Sequence, residues 1–225
     1  MRNGRYIFDL HVHIFSRIHG ICPDGATEGI GHGRIRRGER ILQFMPEKYE
    51  ETAFPIETYL ECMFTEGVDG ALFLLHSTIG DQNQYLADAI MGSNRLFGCI
   101  QIDPMDPDAI KTMAQYSSNP AIRGLKLEIS EEHGWSGIHP TLKLYDSPGM
   151  QPILQAVKDY NWMLVFDTGA IGGRGYQVDQ FDLLSKAYPT VPIVIEHLAM
   201  PSPKIWMDPE VEAECAKNNF FINYP

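Results

Sequence analysis

Two histidines and an aspartate occupy alternate positions near the start of the chain. Asp9, His11 and His13 follow the apolar residues Ile7 and Phe8. On a β-strand, side chains two residues apart point to the same face, so the carboxylate and both imidazoles would lie side by side. Neutral imidazole is a good ligand for zinc and other transition metals. The motif therefore predicts a divalent-metal site, although a short His-x-His motif also fits one packed ring and one solvated ring.

The rest of the chain alternates short apolar segments with segments of helical periodicity. Predicted strands cover 68–76, 96–102, 121–129, 162–166, 192–195 and 220–223, and predicted helices cover 55–66, 83–91, 106–116, 150–160, 178–187 and 210–217. This alternation predicts an α/β fold with a parallel sheet built from β-α-β units. Seven strands with polar C-terminal ends favour a (β/α)8 TIM barrel that lacks its last strand and helix in the residues given. An open doubly wound sheet is the alternative. The first strand is not followed by a GxGxxG motif, so a dinucleotide site is not supported.

Residues 16–53 break this alternation. The segment is polar and rich in glycine, and we expect a long loop there within a single domain that spans 1–225. Long loops in compact domains are usually functional or disordered. This one would leave the first strand at the end that bears the histidines, which predicts a lid or substrate-binding loop. His32 and Arg34 are its expected substrate contacts, unless its arginines form a solvated surface patch.

Composition favours a soluble, cytoplasmic protein. The net charge of −11 argues against nucleic acid or an anionic membrane surface as a partner. No segment approaches the roughly 18 apolar residues of a membrane span. The four cysteines are far apart and form no CxxC motif, so reduced thiols are expected. The sequence leaves the oligomeric state open, and a homo-oligomer is compatible with it.

Polar side chains collect at the ends of the predicted strands. His76 ends the second strand, Lys126 and Glu128 share one face of the fourth, and Asp167 and His197 follow the fifth and sixth. Active sites of TIM barrels lie at this face, so the side chains would converge. A buried Lys or Glu needs a partner or a metal, and Lys126 and Glu128 could simply pair with each other or with Asp167. Histidines in predicted loops are expected to be solvated or close to substrate: His19, His133 and His139.

Three motifs occur in an order that resembles the amidohydrolase superfamily. They are Asp9-Leu10-His11-Val12-His13, Gly124-Leu125-Lys126-Leu127 and Glu196-His197-Leu198. The resemblance is strongest to the amidohydrolase-2 branch, which includes lactonases and decarboxylases. It implies a divalent metal, zinc above all and otherwise manganese or magnesium, at a centre formed by His11, His13 and His197. Carboxylate oxygens suit the same metals, so Glu128 and Asp167 are further candidate ligands.

Two features depart from that family's pattern. The decarboxylase-like members usually place a histidine after the fifth strand, where this chain has Asp167, as in the sugar-lactonase group. The family's general acid/base is an aspartate on the eighth strand, and the chain ends at Pro225 before such a strand. We therefore expect the sequence to be a truncated product.

The resemblance implies metal-assisted hydrolysis of a small carboxylated substrate, such as a lactone. A metal on His11, His13 and Asp167 would polarise a carbonyl, and His197 would bind the metal or stabilise an oxyanion. Lys126 or an arginine of the 16–53 segment would pair with a substrate carboxylate, and His76 would contact the substrate. Alternatives are non-oxidative decarboxylation of an aromatic or muconate-like acid, and a catalytically silent barrel that serves as a binding module.

Overall fold

The computed structural model describes residues 4–199. Its strands are β1 (Phe8–Val12), β2 (Ile21–Cys22), β3 (Gly25–Gly29), β4 (Arg34–Arg37), β5 (Arg40–Gln43), β6 (Gly70–Leu74), β7 (Leu96–Gln101), β8 (Ile122–Glu128), β9 (Met163–Asp167) and β10 (Ile193–Ile195). Its α-helices are α1 (Ile56–Glu66), α2 (Asn83–Ala89), α3 (Ala109–Tyr116), α4 (Trp135–Ile138), α5 (Met150–Asp159) and α6 (Val178–Ala187), and a 3-10 helix covers Glu196–Ala199.

Six of these strands form one parallel sheet in the order β1-β6-β7-β8-β9-β10, which is also their order along the chain. A doubly wound sheet would reverse its strand order at a switch point, whereas a TIM barrel adds each strand on the same side. The order therefore confirms the predicted barrel class. The predicted helix over 210–217 and strand over 220–223 lie outside the described residues.

Apolar side chains pack on both faces of this sheet. The outer face packs against the helices, as with Tyr59 of α1, whose ring meets the edge of Phe73 in β6. The inner face holds a smaller cluster that includes Leu74, Cys99 and Val165. Burial on both faces explains why the strands are almost continuously apolar in sequence. It also makes the charged residues on the inner face of β8 exceptional.

A β-bulge in β1 separates Asp9 from the two histidines. Asp9 pairs with Ala71, but the next aligned pair is Val12 with Phe73, so three residues of β1 span two of β6. The extra residue reverses the alternation of side chains. Asp9 consequently accepts a hydrogen bond of 3.0 Å from the Tyr59 hydroxyl in the helix layer. The expectation that Asp9 shares a face with both histidines was wrong, because strand periodicity alone does not reveal a bulge.

The segment 16–53, predicted as a loop, contains a four-stranded antiparallel sheet in the order β2-β3-β4-β5. We call this the small sheet. It packs on the barrel through a cluster that joins Ile18 and Ile35 to Phe15 and Ile79. The prediction was wrong here because the strands are only two to five residues long, so the glycines at the turns dominate the sequence pattern.

In the part of the chain that the structure describes, none of the helices is both long and apolar enough to cross a membrane.

Candidate metal centre

A cavity of about 340 Å³ opens at the C-terminal ends of the parallel strands, under the small sheet. The barrel strands and the segments that follow them contribute most of its polar wall. The predicted site residues that line it are His11, His13, His76, Lys126, Glu128, Asp167 and His197. The barrel thus brings together residues that are far apart in sequence, as expected for polar side chains at the ends of barrel strands.

His11, Glu196 and His197 form the tightest group of potential metal ligands. One donor atom from each residue lies within 4.8 Å of the other two. The rings of His11 and His197 have centroids 4.8 Å apart, and Nδ1 of His11 lies 3.3 Å from Oε1 of Glu196. That oxygen is buried and accepts no hydrogen bond among the described residues. A buried carboxylate oxygen without a donor is typical of a place where a cation, a proton or an ordered water binds.

His13 is oriented so that one ring nitrogen faces this group. Its Nδ1 donates a hydrogen bond of 2.8 Å to the carbonyl of Leu74, which leaves Nε2 as the nitrogen with a free lone pair. Nε2 lies 3.2 Å from Nε2 of His11. Burial lowers the pKa of His13 to about 3. The ring is therefore neutral at physiological pH, which is the form that binds metal.

His11 and His76 flank His13 and have similar electrostatics. Burial lowers the pKa of His11, although the charge of Glu196 opposes this. Burial also lowers the pKa of His76 well below the usual value, and its ring meets the edge of His13 with centroids 4.9 Å apart. Three neutral imidazoles thus lie in a row along the inner wall of the cavity.

Lys126 lies between two carboxylates at the floor of the cavity. It is 1% exposed, donates a hydrogen bond to Glu196, and lies 3.7 Å from Oε2 of Glu128. Glu128 also accepts a hydrogen bond of 2.5 Å from the hydroxyl of Ser130. Burial raises the pKa of Glu128 to about 7, against the lowering effect of Lys126. Glu128 can therefore hold or release a proton at neutral pH.

Asp167 and His197 meet at the wall of the cavity, next to His11. Nε2 of His197 lies 3.7 Å from Oδ2 of Asp167, while Oδ1 of Asp167 accepts a hydrogen bond of 3.0 Å from the N–H of Gly169. Asp167 is therefore held by its own loop and oriented towards the imidazole. His197 has a φ of 51°, which lies in the left-handed region and turns the chain directly after β10.

The two predicted contacts from 16–53 lie away from the cavity. His32 is exposed and hydrogen-bonded through its backbone to Glu50 and Gln43, and Arg34 is exposed beside the carbonyl of Gly31. Arg37 reaches the cavity instead. Its position follows from the alternation of β4, in which residues 34 and 36 face solvent and residues 35 and 37 are buried.

Sequence reasoning also missed Glu196 as a site residue. On a regular strand, neighbouring residues point to opposite faces, so His197 would exclude Glu196 from the same site. The 3-10 helix that begins at Glu196 removes this restriction. Both side chains therefore approach His11. The signal available in the sequence was the charge itself, because Glu196 directly follows three apolar strand residues.

These residues fit a divalent cation. Ligand atoms around a four-coordinate zinc ion lie roughly 3.5 Å apart, which is compatible with the spacing of the His11, Glu196 and His197 group after small side-chain adjustments. Two imidazoles and a carboxylate are donors that zinc and manganese accept. A metal site commonly has an unpaired carboxylate oxygen and a histidine whose second nitrogen is hydrogen-bonded. Oε1 of Glu196 and Nδ1 of His13 have these two properties.

Comparison with known families identifies the family of the chain. A family model described as amidohydrolase matches residues 8–220, nearly the whole chain. The chain belongs to the amidohydrolase family. The resemblance to the amidohydrolase-2 branch that the three sequence motifs indicated is thereby confirmed. No curated protein matches the chain significantly.

Solved structures with the same fold include enzymes that handle small carboxylic acids. A probable 2-pyrone-4,6-dicarboxylic acid hydrolase from Acinetobacter baumannii, with citric acid bound, superposes with a TM-score of 0.58 at 19% identity over 88% of this chain and 61% of its own. A 5-carboxyvanillate decarboxylase from Novosphingobium aromaticivorans, complexed with manganese and a nitrobenzoic acid, gives 0.50 at 18% identity over 74% and 56%. The chain therefore spans less than two thirds of either relative. At these identities the likeness establishes the fold.

Proposed function

We propose that the protein is a metal-dependent hydrolase of the amidohydrolase type that acts on a small carboxylated lactone. The observation that carries this proposal is the convergence of His11, Glu196 and His197 on one point of the cavity, with Oε1 of Glu196 buried and without a hydrogen-bond donor. Such a donor set at the mouth of a barrel suits a cation that acts on a carbonyl group.

The residues that would hold the metal are His11, Glu196 and His197, with His13 next to them and Asp167 as a further carboxylate. Zinc is the metal we favour, and manganese is the alternative that the carboxyvanillate decarboxylase supports. When bound, the cation supplies Lewis acidity towards a carbonyl oxygen and lowers the pKa of coordinated water. The histidines bring no positive charge to it, because the pKa values of His11 and His13 are lowered.

Proton transfer is assigned to Glu128. Its carboxyl group lines the cavity, and its pKa of about 7 lies near the pH at which the protein would work. A group with such a pKa is suited to general acid or base catalysis. The Ser130 hydroxyl fixes Oε1 by donation, so Oε2 is the atom at which the proton would be held. Lys126 lies beside it and orients both Glu128 and Glu196.

Asp167 would orient the imidazole of His197. Nε2 of His197 is the nitrogen directed at Asp167, so Nδ1 is the nitrogen left to bind the metal. Asp167 would keep the ring in position, in the manner of a carboxylate that orients a catalytic histidine. His76 lies on the wall beside His13, where it would contact the ring of the substrate.

The cavity also favours a small, flat, acidic substrate. Its volume suits a single ring with one or two carboxylates, and its wall combines Arg37 and Lys126 with apolar Ile35 and Phe44 from or beside the small sheet. The two fold relatives handle a pyrone dicarboxylic acid and a carboxylated aromatic acid. Decarboxylation is the second candidate, and Asp167, in the place of the histidine that decarboxylase-like members usually have, favours hydrolysis.

An activity panel on the full-length protein tests the proposal. 2-Pyrone-4,6-dicarboxylate should be hydrolysed to a ring-opened acid, and His11→Gln or Glu196→Gln should abolish turnover. His32→Asn is the matched control, because His32 is exposed, lies outside the cavity and has a φ of 53° that asparagine tolerates. Release of carbon dioxide from 5-carboxyvanillate, without lactone hydrolysis, would instead support the decarboxylase. If the metal-loaded protein turns over neither compound, the result would support the catalytically silent binding module.

A further inference from the structure

Arg37 connects the small sheet to the cavity wall. It lies on the barrel-facing side of β4, and its side chain is 10% exposed, whereas the neighbouring Arg36 is about half exposed. Arginine side chains are rarely buried unless they are paired. The partners of Arg37 therefore indicate the role of this residue.

Three groups hold the guanidinium in place. Its Nε lies 3.0 Å from Oδ2 of Asp24 and 3.1 Å from Sγ of Cys22, and one Nη donates to the carbonyl of Glu132. The other Nη lies 2.7 Å from Nδ1 of His133. Most N–H donors of the guanidinium are therefore occupied by contacts within the protein. Among these contacts, His133 is the partner that also lines the cavity.

The bond between Arg37 and His133 determines which ring nitrogen carries the proton. A guanidinium has donors only and stays protonated in proteins, so Nδ1 of His133 must be the acceptor. The single proton of the neutral ring then resides on Nε2. Burial, followed by the charge of Arg37, lowers the pKa of His133, which keeps the ring neutral.

The backbone around His133 is also fixed. Its N–H donates to the Ser130 hydroxyl at 3.2 Å, and its carbonyl accepts from the Ser77 hydroxyl at 3.3 Å. Ser130 is the same residue that donates to Glu128. The imidazole is exposed while its backbone and Nδ1 are held, so Nε2 is the ring nitrogen that remains for a ligand.

We propose that Arg37 is a positioning residue that holds His133 as the neutral Nε2–H tautomer, so that His133 donates a hydrogen bond to a carboxylate oxygen of the substrate. This inference rests on the proposed function for the carboxylated substrate, but the tautomer itself does not. A fixed donor selects substrates with an oxygen acceptor at that point and disfavours those with an N–H there. The small sheet would thus contribute to specificity through His133 rather than through an arginine that touches the substrate.

The tautomer can be observed without any turnover. In the full-length protein labelled with ¹⁵N-histidine, a long-range proton–nitrogen correlation separates protonated from unprotonated ring nitrogens, and His133→Gln identifies the signal. We expect an unprotonated Nδ1 and a protonated Nε2 at pH 7. Arg37→Met should give a mixture of tautomers, whereas Arg37→Lys, which keeps a cationic donor, should retain the single form. An Nδ1–H tautomer in the wild type, or no change in Arg37→Met, would overturn the proposal.

Binding tests the role of His133 towards a carboxylate. With citrate as the probe, calorimetry should show an affinity about tenfold lower for Arg37→Met and for His133→Ala, with no further loss when both are combined. Arg36→Met is the matched control, since Arg36 is adjacent but points to solvent and pairs with Glu28. If all variants bind citrate equally well while the tautomer is as expected, His133 does not contact a carboxylate of the substrate. If the protein fails to hydrolyse the lactone but the tautomer and the citrate affinities are as expected, the proposed function is contradicted and this inference is not.

Discussion

The ammonium group of Lys126 donates a hydrogen bond to the carboxylate of Glu196 inside the barrel. Lys126 lies on β8 and Glu196 directly follows β10, so the pair connects two strands that are not neighbours in the sheet. Both side chains are 2% exposed. The pair uses Oε2 of Glu196 and leaves Oε1 directed at His11, which links the charge at the barrel floor to the candidate metal centre.

Removal of Lys126 should destabilise the protein. Lys126→Met keeps the size of the side chain but leaves Glu196 buried without its cation, which we expect to cost about 3–5 kcal/mol in the free energy of unfolding. Urea denaturation of the metal-free protein measures this. Lys186→Met is the control, because Lys186 pairs with Asp182 on the surface of α6 and should have a much smaller effect.

The double variant Lys126→Met with Glu196→Gln provides the second half of this test. Neutralisation of Glu196 removes the isolated charge, so the double variant should recover part of the stability that Lys126→Met loses. A coupling energy near zero in this cycle would mean that the two residues do not interact in solution.

Asp9 should not contribute to metal binding. Its carboxylate faces Tyr59 on α1, on the other side of β1 from His13. Asp9→Asn should therefore leave zinc affinity within about twofold of the wild type, while His13→Gln should lower it at least about tenfold. Competition with a chromogenic chelator gives both affinities. Equal losses in the two variants would contradict the bulge in β1.

The stability of the metal-free protein should depend on pH through His13. Its folded pKa of about 3 lies below the unfolded value of 6.5, so the unfolded chain binds more protons below pH 6.5. This contribution to stability is present above pH 6.5 and is lost as the pH falls towards 3. Between pH 7 and 5 the loss should be about 2 kcal/mol relative to His13→Gln, measured by urea denaturation in chelator. A pH-independent difference between the two proteins would contradict it.

Glu128 should determine the pH dependence of activity. Its raised pKa of about 7 predicts an inflection of kcat/KM near that pH, because the group must hold or release a proton at the substrate. Glu128→Gln should remove this inflection and lower kcat/KM by roughly a hundredfold or more. Steady-state rates between pH 5 and pH 9 measure both effects. Persistence of the inflection in the variant would assign it to another group.

The barrel was predictable because each of its strands has a local signal. Apolar segments, helical periodicity and the polar residue after each strand depend only on neighbours in sequence. Lys126 and His197 stood out for that reason. The expected single domain, cytoplasmic location and homo-oligomer stay predictions from length and composition.

Other features depend on contacts between distant segments. The bulge between Asp9 and Val12 is defined only by the alignment of β1 with β6. The burial of Arg37 rather than Arg34 follows only once β4 is known to be a strand, which its pairing with β3 and β5 establishes. Glu196 joins the site because the chain turns into a 3-10 helix directly after β10. The bulge and the 3-10 helix leave no periodic signal in the sequence.

Metal titration of the full-length protein tests the central claim most directly. After treatment with chelator, the wild type should bind one zinc or manganese ion per chain with high affinity. His11→Gln and Glu196→Gln should each weaken binding by about tenfold to a hundredfold, and His32→Asn should bind as the wild type does. No stoichiometric binding by the wild type, or equal affinity in His11→Gln and Glu196→Gln, would contradict a metal centre at His11, Glu196 and His197.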